Sequence, residues 1–333
     1  MTHLLQRRQC LAGLGGLLVA GLGMRPALAS PDVHRASRVL MGTRVDIVAQ
    51  GESPGATVAA VQAAFAEMQR LERMMSRYRA DSLVSAMHRS AGHGLVMAPP
   101  ELLSVLQRAN ELSRLSDGAF DITVGAYHGW SFDPQDARMP APEELRRERR
   151  LVDFRDVLIH PETGQAGLSR PGMRIDLGGV AKLPILQAGL RVLEQHGLRH
   201  AMVNGGGDVH TRGQLQGQDW HVGIRDPRAP ERLIGTVQVR DGCVASSGDY
   251  ERCFVRDGLR YHHVLDPRTG MPSRGVRGVV TVSRQPDPPV NGLGAAIMVA
   301  GATAGRHLLT PLRGVDSLIV DADDHIHTMG RWG

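Results

Sequence analysis

Lysine is nearly missing from this chain. Among 39 basic residues in a total of 333, Lys182 is the one lysine, and every other is arginine. GC-rich coding tends to produce such a bias and would have replaced a lysine whose only duty was positive charge. A site that needs a compact ammonium beside a phosphate resists the exchange, because a guanidinium differs in shape, hydration and pKa. Composition alone therefore makes Lys182 a candidate functional residue, with chance survival of a surface lysine as the ordinary alternative. Aromatic rings are also scarce, with three tryptophans, four tyrosines and five phenylalanines. Tyr78, Phe120 and Trp130 are then the few credible stacking partners for a planar ligand, with core packing as the ordinary alternative for each.

Long hydrophobic runs are absent as well. The longest apolar stretch, residues 10–24, is interrupted by glycines and falls short of the roughly 20 residues that span a bilayer. It follows Arg7-Arg8 and leads into Ala27-Leu28-Ala29, the order of an export signal, and the twin arginine favours the Tat route over Sec. We read residues 1–29 as a signal peptide cleaved after Ala29 and residues 30–333 as the mature domain, located in the periplasm. Loss of that leader removes Arg7, Arg8 and Arg25 but no acid, so a formal charge of +5 falls to about +2 and no nucleic-acid partner is implied. Of three cysteines, Cys10 leaves with the leader. Cys243 and Cys253 either bridge across a hairpin in an oxidising compartment or stay as two unrelated thiols.

What is present reads as an α+β fold, with helices interspersed among antiparallel strands and no fixed-period repeat. Residues 38–50 alternate like a strand, residues 56–75 carry apolar side chains at helical spacing, and residues 99–115 read as a second helix. Residues 117–132 read as a loop, and residues 134–148 as an exposed insertion with a short helix. A helix is expected from Gly179 to His196, and strands at 201–204, 221–225, 235–239, 244–246, 262–265 and 278–282. Residues 291–300 read as a helix, and 315–320 with 325–329 as a closing hairpin.

Three segments carry chemistry. In Asp176-Leu177-Gly178-Gly179-Val180-Ala181-Lys182 a strand end and a glycine turn open a helix, which presents free backbone N–H groups to a diphosphate and adds the Lys182 charge. The bland alternative is a tight strand-to-helix connection. Asn204-Gly205-Gly206-Gly207-Asp208 lets a backbone approach a ligand closely or is a flexible hairpin loop. In Tyr261-His262-His263-Val264 strand alternation lets one histidine face a given side, so a chelating pair is disfavoured and His263 is the ligand-facing candidate.

In order, Met41-Gly42-Thr43, Ser76, Tyr78 with Ser82, Gly118-Ala119-Phe120-Asp121-Ile122-Thr123-Val124, Trp130, the Asp176 to Lys182 run, Asn204 to Asp208, Ser247-Gly248-Asp249-Tyr250 and His263 to Gly270 resemble the motif series of the ApbE family of FAD:protein FMN transferases. The resemblance implies an ApbE-like flavin transferase fold related to T-fold proteins. It implies FAD bound at Met41, Tyr78, Ala119, Phe120, Asp121, Asp176, Lys182 and Val264, with Lys182 and His263 catalytic. The implied reaction joins FMN to a threonine or serine of an acceptor flavoprotein in a membrane electron-transfer complex and releases AMP. It also implies Mg²⁺ held by a backbone carbonyl near Gly179 and by an aspartate and a threonine further on. At those last positions stand Asn291 and Ala295, in the run Val290-Asn291-Gly292-Leu293-Gly294-Ala295. Neither Asn291, Gly294 nor Ala295 supplies a charged oxygen, so the metal segment is expected to be weak. The alternative reading is an impaired FAD-binding carrier or accessory protein, and a third is an unrelated exported binding protein.

Overall fold

The computed structural model describes residues 32–285 and 290–332. The expected signal peptide lies outside them. An antiparallel eight-stranded sheet organises the chain, in spatial order Asp32–Leu40, Thr43–Gly51, His200–Gly205, Asp208–Arg212, Gly242–Gly248, Val276–Ser283, Val315–Asp321 and Ile326–Met329.

Both faces of that sheet are covered. Along Val276–Ser283, Val279 joins the large core under the helices, while Val280 and Val282 join a second core with Val222, Ile224 and Val237 of the hairpin Trp220–Asp226/Ala229–Val239. Successive side chains of a strand point to opposite faces, so the adjacent valines Val279 and Val280 enter different cores. The helix Pro54–Met75 begins with proline where an N–H would have no partner anyway, and buries Ala60, Val61, Ala64, Phe65, Met68, Leu71 and Met75 at spacings of three and four. It packs against the helix Lys182–Gln195 on the same face.

Several boundaries differ from the sequence reading, each for a local reason. The strand expected at 38–50 is two strands, joined by Met41 (φ 53°) and Gly42 (φ 68°) in a two-residue hairpin turn. The Asn204 to Asp208 segment is likewise a hairpin: Gly206 and Gly207 both have positive φ, and Asp208 opens a strand. A Cβ at Gly206 would come within 2.5 Å of Thr43 Oγ1, so these two hairpin turns touch at one end of the sheet. The loop at 117–132 contains a 3₁₀ turn, Ile122–Ala126. The short helix of the insertion is Pro142–Arg149, and it turns Leu145 and Glu148 inward instead of lying exposed. The strand expected at 262–265 ends at His262. Beyond Leu293–Ala300, Gly301 (φ 87°) breaks the chain before a further helix, Ala302–Leu309, which the sequence reading did not include.

Cys243 and Cys253 are both free. Cys243 pairs with Ser283 in the central sheet, whereas Cys253 pairs with His262 in the small hairpin Cys253–Arg256/Leu259–His262. Of the two alternatives, the structure shows two unrelated thiols, which belong to different sheets.

Candidate active site

The helix expected from Gly179 starts instead at Lys182. Asp176 is the reason. Its Oδ1 accepts the Gly178 N–H at 2.8 Å, and the N–H groups of Val180 and Ala181 both donate to the Leu177 carbonyl, at 2.9 and 2.7 Å. Residues 177–180 are thus wound into a turn, and Lys182 becomes the first helical residue. Its Nζ lies 2.6 Å from Asp208 Oδ2, with the lysine side chain 29 % exposed and the aspartate 9 %. The other oxygen of Asp208 accepts the Ser246 N–H at 2.9 Å, and Asn204 Oδ1 accepts the Gly207 N–H at 3.0 Å. The triple-glycine turn is therefore the frame that aims Asp208 at Lys182.

Asp176 Oδ2 is bound by Arg77 Nη1 at 2.6 Å. Burial alone would raise this carboxyl, but the Arg77 charge and the Gly178 N–H outweigh it and hold the group below the usual carboxylate range. His88 anchors the approach to the turn, accepting the Ile175 N–H at Nε2 over 3.0 Å. His263 stands close enough to Asp176 and Arg252 to feel both charges. Its Nδ1 is enclosed without a hydrogen-bond partner, whereas His262 is buried and its Nε2 meets the Ser273 carbonyl at 2.8 Å. The adjacent histidines thus face different surroundings.

Other residues nominated from the sequence have varied placements. Met41 donates its N–H to Glu72 Oε1 at 2.6 Å. Tyr78 is 73 % exposed, with the Arg77 guanidinium 5.4 Å from its ring centroid, so its face is available. Phe120 is buried, its ring edge lying beneath Gly179 and Gly292, and Ala119 packs against the large core. Asp121 spends both oxygens on its own loop: Oδ1 accepts from Thr123 N and Oγ1, and Oδ2 from Phe154 N. Trp130 stacks on Phe132 with centroids 5.4 Å apart and donates Nε1–H to the Gly270 carbonyl at 2.9 Å. Val264 is buried, and its carbonyl accepts the Ser273 N–H. Arg77, Arg252 and Glu72 were not nominated: in a chain this rich in arginine, one more beside Tyr78 carried no compositional signal.

Burial also pushes His263 and His210 down to about 4, the nearby charges of Arg252 on His263 and of Arg191 and Arg212 on His210 adding to it. In the unfolded chain each histidine takes up its proton near the ordinary value of about 6.5, so between pH 6.5 and 4 the unfolded state binds more protons. Stability is then complete above about pH 6.5 and falls on acidification, by up to roughly 3 kcal/mol per histidine near pH 4. Denaturant unfolding measured between pH 7.5 and 4.5 should show this slope, and His210→Gln should make it shallower while His263 keeps the rest; a flat wild-type profile would contradict the buried neutral imidazoles.

The ApbE family model matches residues 41–319. This chain belongs to the ApbE family. It is 31 % identical to the FAD:protein FMN transferase of Treponema pallidum, over 93 % of this chain and 90 % of that protein, and 31 % identical to the enzyme of the same name from Klebsiella pneumoniae, over 75 % and 77 %. Among solved structures, it superposes on the ApbE protein of Thermotoga maritima with a TM-score of 0.80 at 31 % identity, covering 89 % of this chain and 97 % of that one. With the flavin transferase ApbE from Vibrio cholerae the TM-score is 0.77 at 25 % identity, over 90 % and 97 %. The α+β ApbE fold and the family resemblance read from the motifs both hold.

The residues at the family's metal positions do not fit a hard divalent cation. Asn291 is buried, and its Nδ2 donates to the Val180 carbonyl, so this side chain turns an N–H, not a charged oxygen, toward the backbone after Gly179. Ala295 offers no ligand atom and packs against the large core. Gly294 lies so close to Ser247 that a Cβ there would stand 2.5 Å from Ser247 Oγ. Magnesium needs several oxygen ligands, preferably charged, and this segment of the ApbE fold supplies no carboxylate.

Proposed function

We propose that this chain is an exported FAD:protein FMN transferase. The observation that carries the reading is the Lys182–Asp208 ion pair at the start of a helix, 2.6 Å across, in a member of a family whose relatives bear that name. The mature protein would act in the periplasm on a flavoprotein subunit of a membrane electron-transfer complex. The leader, with Arg7-Arg8 ahead of a short apolar run, supports that location.

In the proposed reaction the hydroxyl oxygen of an acceptor threonine or serine attacks the flavin-side phosphorus of FAD. A new O–P bond forms, and the bond from that phosphorus to the bridging oxygen breaks. AMP leaves with the bridging oxygen and the electron pair. Such transfer depends on positioning and on meeting charge at the diphosphate. Lys182 supplies that charge, with Asp208 fixing its ammonium. His263, kept neutral far below neutral pH by burial and by Arg252, takes the hydroxyl proton. Met41, Tyr78 and the Ala119-Phe120-Asp121 loop would bind the flavin and adenine ends, while Asp176 and Val264 line the diphosphate side. Magnesium, the family's metal, has no carboxylate ligand from Asn291 or Ala295, and the N–H groups of Gly178, Val180 and Ala181 are already bonded within the turn, so Lys182 bears the diphosphate charge.

The altered metal segment favours one alternative, a carrier that holds FAD without turnover. Incubation of the purified mature protein with FAD, Mg²⁺ and an acceptor bearing a flavinylation threonine separates the two. An FMN-sized mass increase on the acceptor with release of AMP is the expected result. Tight FAD binding without any adduct would replace the enzyme by the carrier, and failure to bind FAD would overturn both.

A further inference from the structure

The insertion helix Pro142–Arg149 holds a buried acid that the flavin site does not use. Glu148 is 2 % exposed, and both of its carboxylate oxygens are enclosed without a hydrogen-bond partner. A carboxylate enclosed in this way without a hydrogen-bond donor is costly as it stands. Glu144 sits one turn earlier on the same helix, and a spacing of four places both carboxylates on one face. His128 brings Nδ1 to 2.9 Å from Glu148 Oε1 and, at the same distance, to the Ala126 carbonyl. Ligand atoms of all three residues lie within 4.8 Å of one another.

We propose that His128, Glu144 and Glu148 form a binding site for a first-row divalent cation of the zinc type, separate from the family's magnesium position. One imidazole with two carboxylates suits zinc, cobalt, manganese or nickel better than magnesium or calcium. Two ligands each about 2.1 Å from one ion stand about 3 Å apart in octahedral and about 3.4 Å in tetrahedral geometry, close to the 2.9 Å between His128 and Glu148. Three protein ligands leave room for water, and the half-exposed His128 ring gives the ion its way in. Glu144 Oε1 is already confined, since a Cβ on Gly129 would come within 2.9 Å of it.

The cation would clamp the insertion helix to the segment carrying Tyr127 and Trp130. That segment in turn grips the loop after His263: Tyr127 Oη donates to the Pro267 carbonyl and Trp130 Nε1 to the Gly270 carbonyl, each at 2.9 Å. Leu145 of the same helix packs with both rings. The other grouping of this kind among the described residues, Asp321, Asp323 and His325, is a turn whose central carboxylate is already bonded: Asp321 accepts from the N–H groups of Asp323 and His325 and contacts His327 Nε2. It serves as the control.

The test is a Co²⁺ titration of the full mature protein, first stripped with a chelator and followed by visible d–d absorption and by Tm. We expect one equivalent of Co²⁺ bound, displacement by Zn²⁺, and a higher Tm with either ion. His128→Ala and Glu148→Gln should each weaken binding at least tenfold, while Asp323→Ala leaves it unchanged. The exposed His128 ring makes its variant a safe test of folding, with far-UV circular dichroism and FAD binding as the check. No saturable Co²⁺ signal, or a signal that survives both variants or disappears in Asp323→Ala, would reduce the site to a histidine–glutamate contact and overturn the proposal. Because the readout is metal binding, it stands apart from whether FMN transfer occurs.

Discussion

Lys182→Met will lower FMN transfer by roughly 10²–10³-fold while FAD binding weakens far less, the loss typical of removing one preorganised charge from a transition state. The variant removes a compact cation at the diphosphate and also strands the Asp208 carboxylate, which is only 9 % exposed. Part of any loss could then be structural, and the double variant Lys182→Met/Asp208→Asn separates the effects. An amide still accepts the Ser246 N–H that Asp208 now binds and leaves no buried charge, so stability should recover while transfer does not. Lys182→Arg keeps the charge and is expected to restore folding but only part of the rate, since a planar fork cannot occupy the place of a compact ammonium. Transfer by Lys182→Met within a few-fold of wild type would remove Lys182 from the mechanism.

Asn291→Asp should destabilise the protein by about 3 kcal/mol in the presence of a chelator, the order of cost for a buried charge without a partner. In the native chain the Asn291 amide donates to the Val180 carbonyl. A carboxylate there turns an acceptor toward an acceptor, and only a cation between them relieves the repulsion. Mg²⁺ should therefore raise the denaturant midpoint of Asn291→Asp, and further that of Asn291→Asp/Ala295→Thr, while leaving the wild type nearly unmoved. If Mg²⁺ stabilised the wild type as strongly as the double variant, the amide would not be taking the cation's place.

Elements held together by their own sequence were readable in advance. The helix Pro54–Met75 shows its buried face at spacings of three and four, and Val276–Ser283 shows a strand buried on both sides. The site was legible where chemistry narrowed the choice of residue, as with a single lysine after a glycine turn. What stayed hidden depends on partners distant in the chain. Arg77 matters because Asp176, 99 residues later, lies against it. Glu148 looked like one more charge on a polar helix until Leu145 turned that helix inward. The hairpin at Met41 was lost because methionine is an uncommon occupant of a left-handed turn position, and a spacing of ten left the two cysteines undecided because only the sheet pairing sends them to separate sheets.

The Lys182–Asp208 pair has a practical corollary. Since the chain contains no other lysine, an amine-acylating reagent has one side chain to modify in the whole protein, apart from the terminal amine. The rate of that modification is a direct gauge of how often the ammonium leaves its aspartate, and a ligand seated over it would register as protection. Few proteins carry a reporter of site occupancy that needs no engineering.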